Sequence, residues 1–378
     1  LEPAERRRQT LAAIKRILLR ENQVHPLMLV FEDLHWIDSE TQAFLDSLVE
    51  SLPASRILLA VNYRPEYRHG WANKTYYCQL HIDPLPPESA EDLLDALVGR
   101  DPSTGSLKRL LIERTEGSPL FLEESVRTLV ETRALVGERG AYRLVQAPDA
   151  LQVPATVQAI IAARIDRLDP QEKRLLQAAA VVGTHVPCAL LQAIVDVDEE
   201  ALRRCLAQLQ TAEFVYEAQL FPDLEYAFKH ALTHEVAYGS VLQDRRRTLH
   251  AATVEAIERL YSDRLAEQVE RLAHHAVRGR VLPKAVQYLR EAGSKAVNRS
   301  ANREAIAYFE EALVLLDELP QTTQTLTEAL EIRMALGPAL IAVKGAPSPE
   351  VEALYLRALE LVDQLGAGAS RFPALWGL

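Results

Sequence analysis

The chain has 378 residues, with 53 acidic side chains against 42 basic ones and a net charge of −11. At ~150 residues per domain that length predicts two or three domains, and the acidity argues against a nonspecific nucleic-acid binder held by phosphate contacts. Apolar residues at 48% and charged residues at 25% are ordinary for a globular protein with a sizeable core. Aromatics at 6% and only 15 glycines argue against a β-sandwich with many tight turns. Cys78, Cys188 and Cys205 are far apart and odd in number, so no disulfide framework or zinc pattern fits and a reducing, cytoplasmic setting is expected. No stretch approaches ~18 consecutive apolar residues, and no charged-then-apolar leader is present. The first residue is Leu1 and the chain stops at Trp376-Gly377-Leu378, which reads as a fragment of something longer.

In chain order, Glu5 to Arg20 reads as a charged helix with Leu11, Ile14, Ile17 and Leu18 on one face. The five apolar residues Leu27 to Phe31 predict a strand buried on both faces of a parallel sheet. Ser39-Glu40-Thr41-Gln42 reads as a capping box opening a helix through Phe44, Leu45, Leu48 and Leu52. After Pro53, Arg56 to Val61 is a second buried strand. Strand, helix, strand at this spacing is a βαβ unit. The pattern from Pro87 to Arg133 is helical.

A middle section begins near Gln152, with Pro154 at a first helical position. Asp169-Pro170 then caps a helix that ends at Gly183, and another opens at Asp198 with Leu202, Cys205, Leu206 and Leu209 on one stripe. Phe214 to Glu217 and Leu224 to Phe228 flank Phe221-Pro222-Asp223 as a hairpin. Three helices followed by a β-hairpin make a winged helix. From Arg245 onward the pattern is helical hairpins. Leu289, Gly293, Ala305, Phe309 and Ala312 fall at the offsets of a tetratricopeptide repeat, with Pro320 after the second helix. Tyr355 and Ala358 repeat the Phe309 and Ala312 pair 46 residues on instead of ~34, an excess assigned to an insertion around Lys344 to Pro349.

Three motifs carry chemistry. LMLVFEDLHWID, residues 27–38, delivers Glu32 and Asp33 at the carboxyl end of a buried strand. In a Walker B motif such acids hold Mg²⁺ and orient the attacking water; the alternative is an ordinary strand ending in a polar turn. Because Glu precedes Asp, metal ligand and base are not assigned separately. RILLAVNYRPEY, residues 56–67, ends with Asn62 and Arg64. An arginine on that sheet edge can reach a γ-phosphate with its planar fork of donors, or can be a surface arginine before Pro65. Glu116-Gly117-Ser118-Pro119 opens a helix, which by itself is turn chemistry. No G-x-x-x-x-G-K-[ST] loop occurs in the chain, so no backbone cradle for β- and γ-phosphates is encoded here. His274-His275 on a helix points two ways, and Arg245-Arg246-Arg247 reads as a solvated helix start.

The ordered segments EDLHWID, NYRPEY, EGSPLFLEE, FKHALTHEVAY and RRRTLH resemble the signal-transducing ATPases with numerous domains (STAND), a branch related to AAA+ and Orc1-like ATPases. They are most similar to the ATPase modules fused behind class III adenylate/guanylate cyclase domains, and the resemblance covers nearly the whole chain. It implies an α/β then all-α protein. A partial P-loop NTPase core would span residues 1–86, a helical lid 87–150, a winged-helix domain 151–244, and TPR-like helices forming an α-solenoid 245–378. It further implies that Glu32 and Asp33 are Walker B acids on Mg²⁺ and Arg64 the γ-phosphate sensor. Pro119 would pack on adenine, and His230 would reach the ADP β-phosphate. Ala231 stands where the family has Asp, a departure from the pattern of that motif. ATP/ADP and Mg²⁺ would bind only in a full-length parent, with the Walker A loop and a nucleotide cyclase upstream and protein partners on the TPR-like helices. Two alternatives remain: a non-catalytic TPR interaction module, and part of a helix-turn-helix transcription regulator.

Overall fold

The computed structural model describes residues 3–145, 154–195, 197–219, 224–366 and 375. The expected hairpin turn at Phe221-Pro222-Asp223 and the start near Gln152 lie outside the described residues. The chain divides into two compact units, residues 1–81 with 282–378 and residues 82–281.

The first unit begins with α1 (Pro3–Val24), followed by β1 (Leu27–Phe31), α2 (Ser39–Val49) and β2 (Ile57–Val61). β1 and β2 pair in parallel, with Leu27 opposite Ile57 and Phe31 opposite Val61, as the βαβ reading requires. The expected burial of both faces is not observed. Leu29, Phe31, Leu59 and Val61 pack against the core of Leu34, Leu45, Leu48, Val49 and Trp71, whereas Met28, Val30 and Leu58 are 65%, 57% and 61% exposed. With two strands and one packed layer, alternate side chains face outward. The expected apolar stripe of α1 splits similarly, with Leu11 and Leu18 half-buried but Ile14 and Ile17 exposed. Inside the unit, Asn22 at the end of α1 accepts the Arg56 amide at 3.1 Å, and its carbonyl accepts from the Arg56 guanidinium. The cap of α2 is Asp38 instead of Ser39: its carboxylate accepts the Thr41 amide at 2.9 Å and its carbonyl accepts the Gln42 amide.

Residues 282–366 of the same unit form two helical hairpins, α13 (Leu282–Asn298) with α14 (Asn302–Asp317) and α15 (Thr323–Lys344) with α16 (Pro349–Leu365). This is a helical solenoid of TPR-like character, and Leu289, Ala305, Phe309, Ala312, Tyr355 and Ala358 are all buried in it. The close approach at Gly293 against Phe309 recurs at Gly337 against Tyr355. α15 is longer than α13, 22 residues against 17, and contributes more to the irregular spacing than the short loop 345–348 after Lys344.

The second unit opens with α3 (Pro87–Val98), α4 (Gly105–Thr115) and α5 (Pro119–Glu131), which share one core with Leu94, Leu107, Leu111 and Leu122 at its centre. The stretch from Pro87 to Arg133 is helical as read from the sequence, and an antiparallel hairpin that the sequence pattern does not show, β3 (Leu135–Glu138) and β4 (Ala141–Leu144), follows it. Next come α6 (Val157–Arg167), α7 (Pro170–Val182), β5 (His185–Pro187), α8 (Cys188–Ile194), α9 (Glu199–Thr211), β6 (Val215–Gln219) and β7 (Glu225–Phe228). α6 starts at Val157 and is capped by Thr156, which accepts the Ala159 amide at 3.2 Å, so Pro154 lies ahead of the helix and not at its first position. Asp169 and Asp198 cap α7 and α9 as read from the sequence. β5 and α8, too short to show periodicity, were not anticipated; β5 completes an antiparallel sheet of order β5-β7-β6. α10 (Ala231–Gly239), α11 (Gln243–Leu260) and α12 (Leu265–Arg278) end the unit. No helix among the described residues is long and apolar enough to cross a membrane.

Candidate functional site

The parallel pairing brings the carboxyl ends of β1 and β2 to one end of the sheet. Glu32 and Asp33 follow β1 directly, and Arg64 lies three residues beyond the end of β2; all three are exposed. Asp33 takes a left-handed conformation, φ 56° and ψ 45°, from which the chain enters a 3-10 turn over Leu34–Trp36. A non-glycine residue in that region costs energy and needs surrounding restraint. Asn62 supplies it: its side-chain oxygen accepts the Asp33 amide at 2.6 Å and its carbonyl accepts the Leu34 amide at 3.0 Å. In the same place the Asn62 amide donates to Phe31 at 3.1 Å. Asp33 is therefore set by the residue that follows the neighbouring strand. Trp36, 76% exposed, projects from the turn, and neither ring nitrogen of the adjacent His35 has a hydrogen-bond partner among the described residues.

Arg64 sits between Tyr63 and Tyr67, and its carbonyl accepts the Tyr67 amide at 3.0 Å. Both tyrosines belong to an aromatic cluster with His69, Trp71 and Tyr77. The cluster is bolted to α2, because the Trp71 indole donates to Asp46 at 2.7 Å and the Tyr67 hydroxyl to Gln42. Burial and the hydrogen bond with Tyr63 push the Tyr77 phenol up to about 12. Aromatic density in NYRPEYRHGW was the available signal for this cluster, and periodicity does not carry it.

Pro119 and His230 belong to the other unit. Gly117 has φ +77°, its carbonyl accepts the Leu85 amide at 2.9 Å, and a β-carbon there would strike the Leu85 carbonyl. The Gly-x-Pro element thus has a backbone reason for its glycine. Pro119 is exposed at the first turn of α5, behind an extended Ser118. His230 is half-buried at the N-cap of α10, where its carbonyl accepts the Thr233 amide at 3.0 Å and its side chain makes no cap bond.

Sequence reasoning missed a buried ion network in this unit. Arg164 of α6, 3% exposed, donates to Glu124 at 2.5 Å, Glu131 at 2.8 Å and the Ala212 carbonyl at 2.7 Å, and stacks 4.6 Å above the Phe214 ring. Arg127 joins Glu124 to Glu213, which also holds Lys229. No signal short of the fold relates residues so far apart in sequence. Of the three arginines at the start of α11, Arg246 is structural: its guanidinium lies 4.3 Å over the Tyr238 ring and donates to the Tyr238 and Val241 carbonyls. A group of three or more His, Cys, Asp or Glu side chains placed to hold a metal does not occur among the described residues.

No family model matches the chain. Over 359 residues, 93% of this chain, it is 28% identical to an uncharacterized protein of Rhizobium meliloti (strain 1021), and it spans 34% of that relative's length. Among solved structures it is similar to a Signal Transduction ATPase with Numerous Domains (STAND) protein with a tetratricopeptide repeat sensor from Pyrococcus horikoshii. That similarity has 13% identity and a TM-score of 0.44, over 96% of this chain and 54% of that one.

Proposed function

We propose that this chain acts as a non-catalytic, protein-binding module whose working surface is the TPR-like solenoid. The observation that carries the reading is the pair of stacked hairpins α13–α14 and α15–α16, ordered by Gly293 against Phe309 and Gly337 against Tyr355. The absence of a phosphate-loop motif from the sequence agrees with it. In the full-length gene product, Val314→Asp with Leu356→Asp, at exposed positions of α14 and α16, should remove the bound protein partner and leave the fold intact. Retention of that partner in the double variant overturns the reading.

A second reading is favoured by the sheet: the chain is the distal part of a STAND regulatory ATPase, linked to a nucleotide cyclase in the longer polypeptide. Glu32, Asp33 and Arg64 share one strand end, and Met28, Val30 and Leu58 form an exposed apolar face on a parallel sheet, a type almost always covered on both sides. The order α7, β5, α8, α9, β6, β7 supports a winged helix. Two exposed carboxylates fit Mg²⁺, which takes one or two protein carboxylates and completes its shell with water and substrate phosphates. Bound ATP·Mg²⁺ would supply the phosphoryl group and its charge neutralisation. In that state Glu32 and Asp33 would hold the metal and orient water, and Arg64 would meet the γ-phosphate. Pro119 would pack on adenine and His230 would reach the ADP β-phosphate, with a phosphate loop supplied elsewhere in the polypeptide. Calorimetry with the full-length protein should detect ATP·Mg²⁺ binding, and Arg64→Ala should slow hydrolysis more than it weakens ADP binding. Absence of nucleotide binding, or equal loss of both properties, contradicts this reading.

A further inference from the structure

The segment after β2 is organised by one imidazole. His69 touches each of the other four rings of the cluster. It stacks on Trp71 at 4.7 Å, meets Tyr63 edge-on at 5.2 Å, and lies 5.9 Å from Tyr67 and 5.3 Å from Tyr77. The Trp71 amide donates to His69 Nδ1 at 3.1 Å, so Nδ1 is an acceptor and the neutral ring carries its proton on Nε2. That Nε2–H points at the Tyr63 hydroxyl, 3.0 Å away, which is itself 2.6 Å from the Tyr77 hydroxyl. Tyr63 and Tyr67 flank Arg64 in sequence, and both are drawn into the cluster. Arg64, directly after Tyr63, is left exposed and without an ion pair among the described residues.

We propose that neutral His69 is the positioning residue for Arg64, and that protonating it releases the Arg64 segment. A proton on Nδ1 would set two N–H groups, those of His69 and Trp71, against each other, so the 69–71 turn cannot survive in its present form. The groups facing the ring are Tyr63, Tyr67, Tyr77 and Trp71 from its own segment, and Asp46 from α2 behind Trp71. Burial lowers the His69 pKa, and the Asp46 charge opposes that by favouring the imidazolium. The neutral, ordered form therefore holds above the ordinary imidazole range and is lost as acidification carries the ring through its lowered value.

The structural claim concerns this chain alone; its consequence for turnover rests on the ATPase reading. Long-range proton–nitrogen NMR on the chain should show the Nε2–H tautomer at pH 7.5. The Trp71 and Arg64 amide signals should shift together with the ring's titration, at a midpoint below 6.5. His69→Asn supplies an oxygen that accepts the Trp71 amide two residues on, as Asx turns do, but it does not titrate. In that variant both amide signals should stay constant from pH 7.5 to 5. Arg64 signals that ignore the ring's titration in the wild type, or that still move in His69→Asn, overturn the proposal. In the full-length protein, His69→Phe should reduce ATP turnover on the order of 10- to 100-fold, the cost of a misplaced group, with ADP affinity unchanged. If that protein binds no nucleotide the ATPase reading fails, and the NMR titration still decides whether His69 positions Arg64. If His69→Phe does not fold, His69→Asn and the wild-type titration carry the test.

Discussion

The Phe309 ring fills the space in which a side chain at residue 293 would lie: a β-carbon on Gly293 would come within 2.6 Å of Phe309 Cε1. α13 and α14 can approach this closely because one of them has no side chain at the crossing. Gly337 and Tyr355 repeat the relationship in the next hairpin. Alanine normally stabilises a helix interior over glycine by about 1 kcal/mol, so the sign of the substitution reports on this contact. Gly293→Ala should destabilise by about 1–3 kcal/mol, the range for overpacking a core, and Gly293→Ala with Phe309→Leu should recover part of the loss. Urea unfolding of the three proteins checks it.

Arg164 and Glu124 are both buried and bonded at 2.5 Å. Removing the guanidinium leaves a carboxylate deep in the unit, with Arg127 as its remaining ion-pair partner. Arg164→Met should cost about 3–5 kcal/mol. Arg164→Met with Glu124→Leu should cost clearly less than the two single losses added together. A double-mutant cycle by denaturant unfolding gives the coupling directly.

Acid should weaken the second unit through His250 of α11 and His275 of α12, which are 1% and 2% exposed and share a hydrogen bond of 2.8 Å between their Nδ1 atoms. That bond needs one proton and one lone pair. Burial holds both rings well below the ordinary imidazole value of 6.5, and the nearby guanidinium groups of Arg278, Arg246 and Arg271 add to the effect. In the unfolded chain each ring takes up a proton near pH 6.5, so below that pH the unfolded state binds more protons than the folded one. The stability is fully present above about pH 6.5 and falls as pH falls, with a slope approaching ~1.4 kcal/mol per pH unit for each ring. Thermal unfolding from pH 7.5 to 5 should show the decline, and His275→Phe should flatten it.

Asp38→Ala should destabilise the first unit by about 1 kcal/mol through loss of the α2 cap, a loss that denaturant unfolding checks.

What the sequence determined by itself was the local grammar. Five-residue apolar runs made β1 and β2, Asp169 and Asp198 announced their helices, and the stripe Leu202, Cys205, Leu206 and Leu209 is buried as its spacing requires. It also placed Glu32, Asp33 and Arg64 at strand ends, because a strand's length and its closing polar residues are local properties. Only the tertiary structure decided that Met28, Val30 and Leu58 stay exposed, since burial depends on what packs against a face and not on the run itself. It alone brought Asn62 to the Asp33 amide, Arg164 to Glu124, and Gly337 to Tyr355. Those pairs join residues distant in the chain, and no period of two or 3.6 residues records a contact made across the fold.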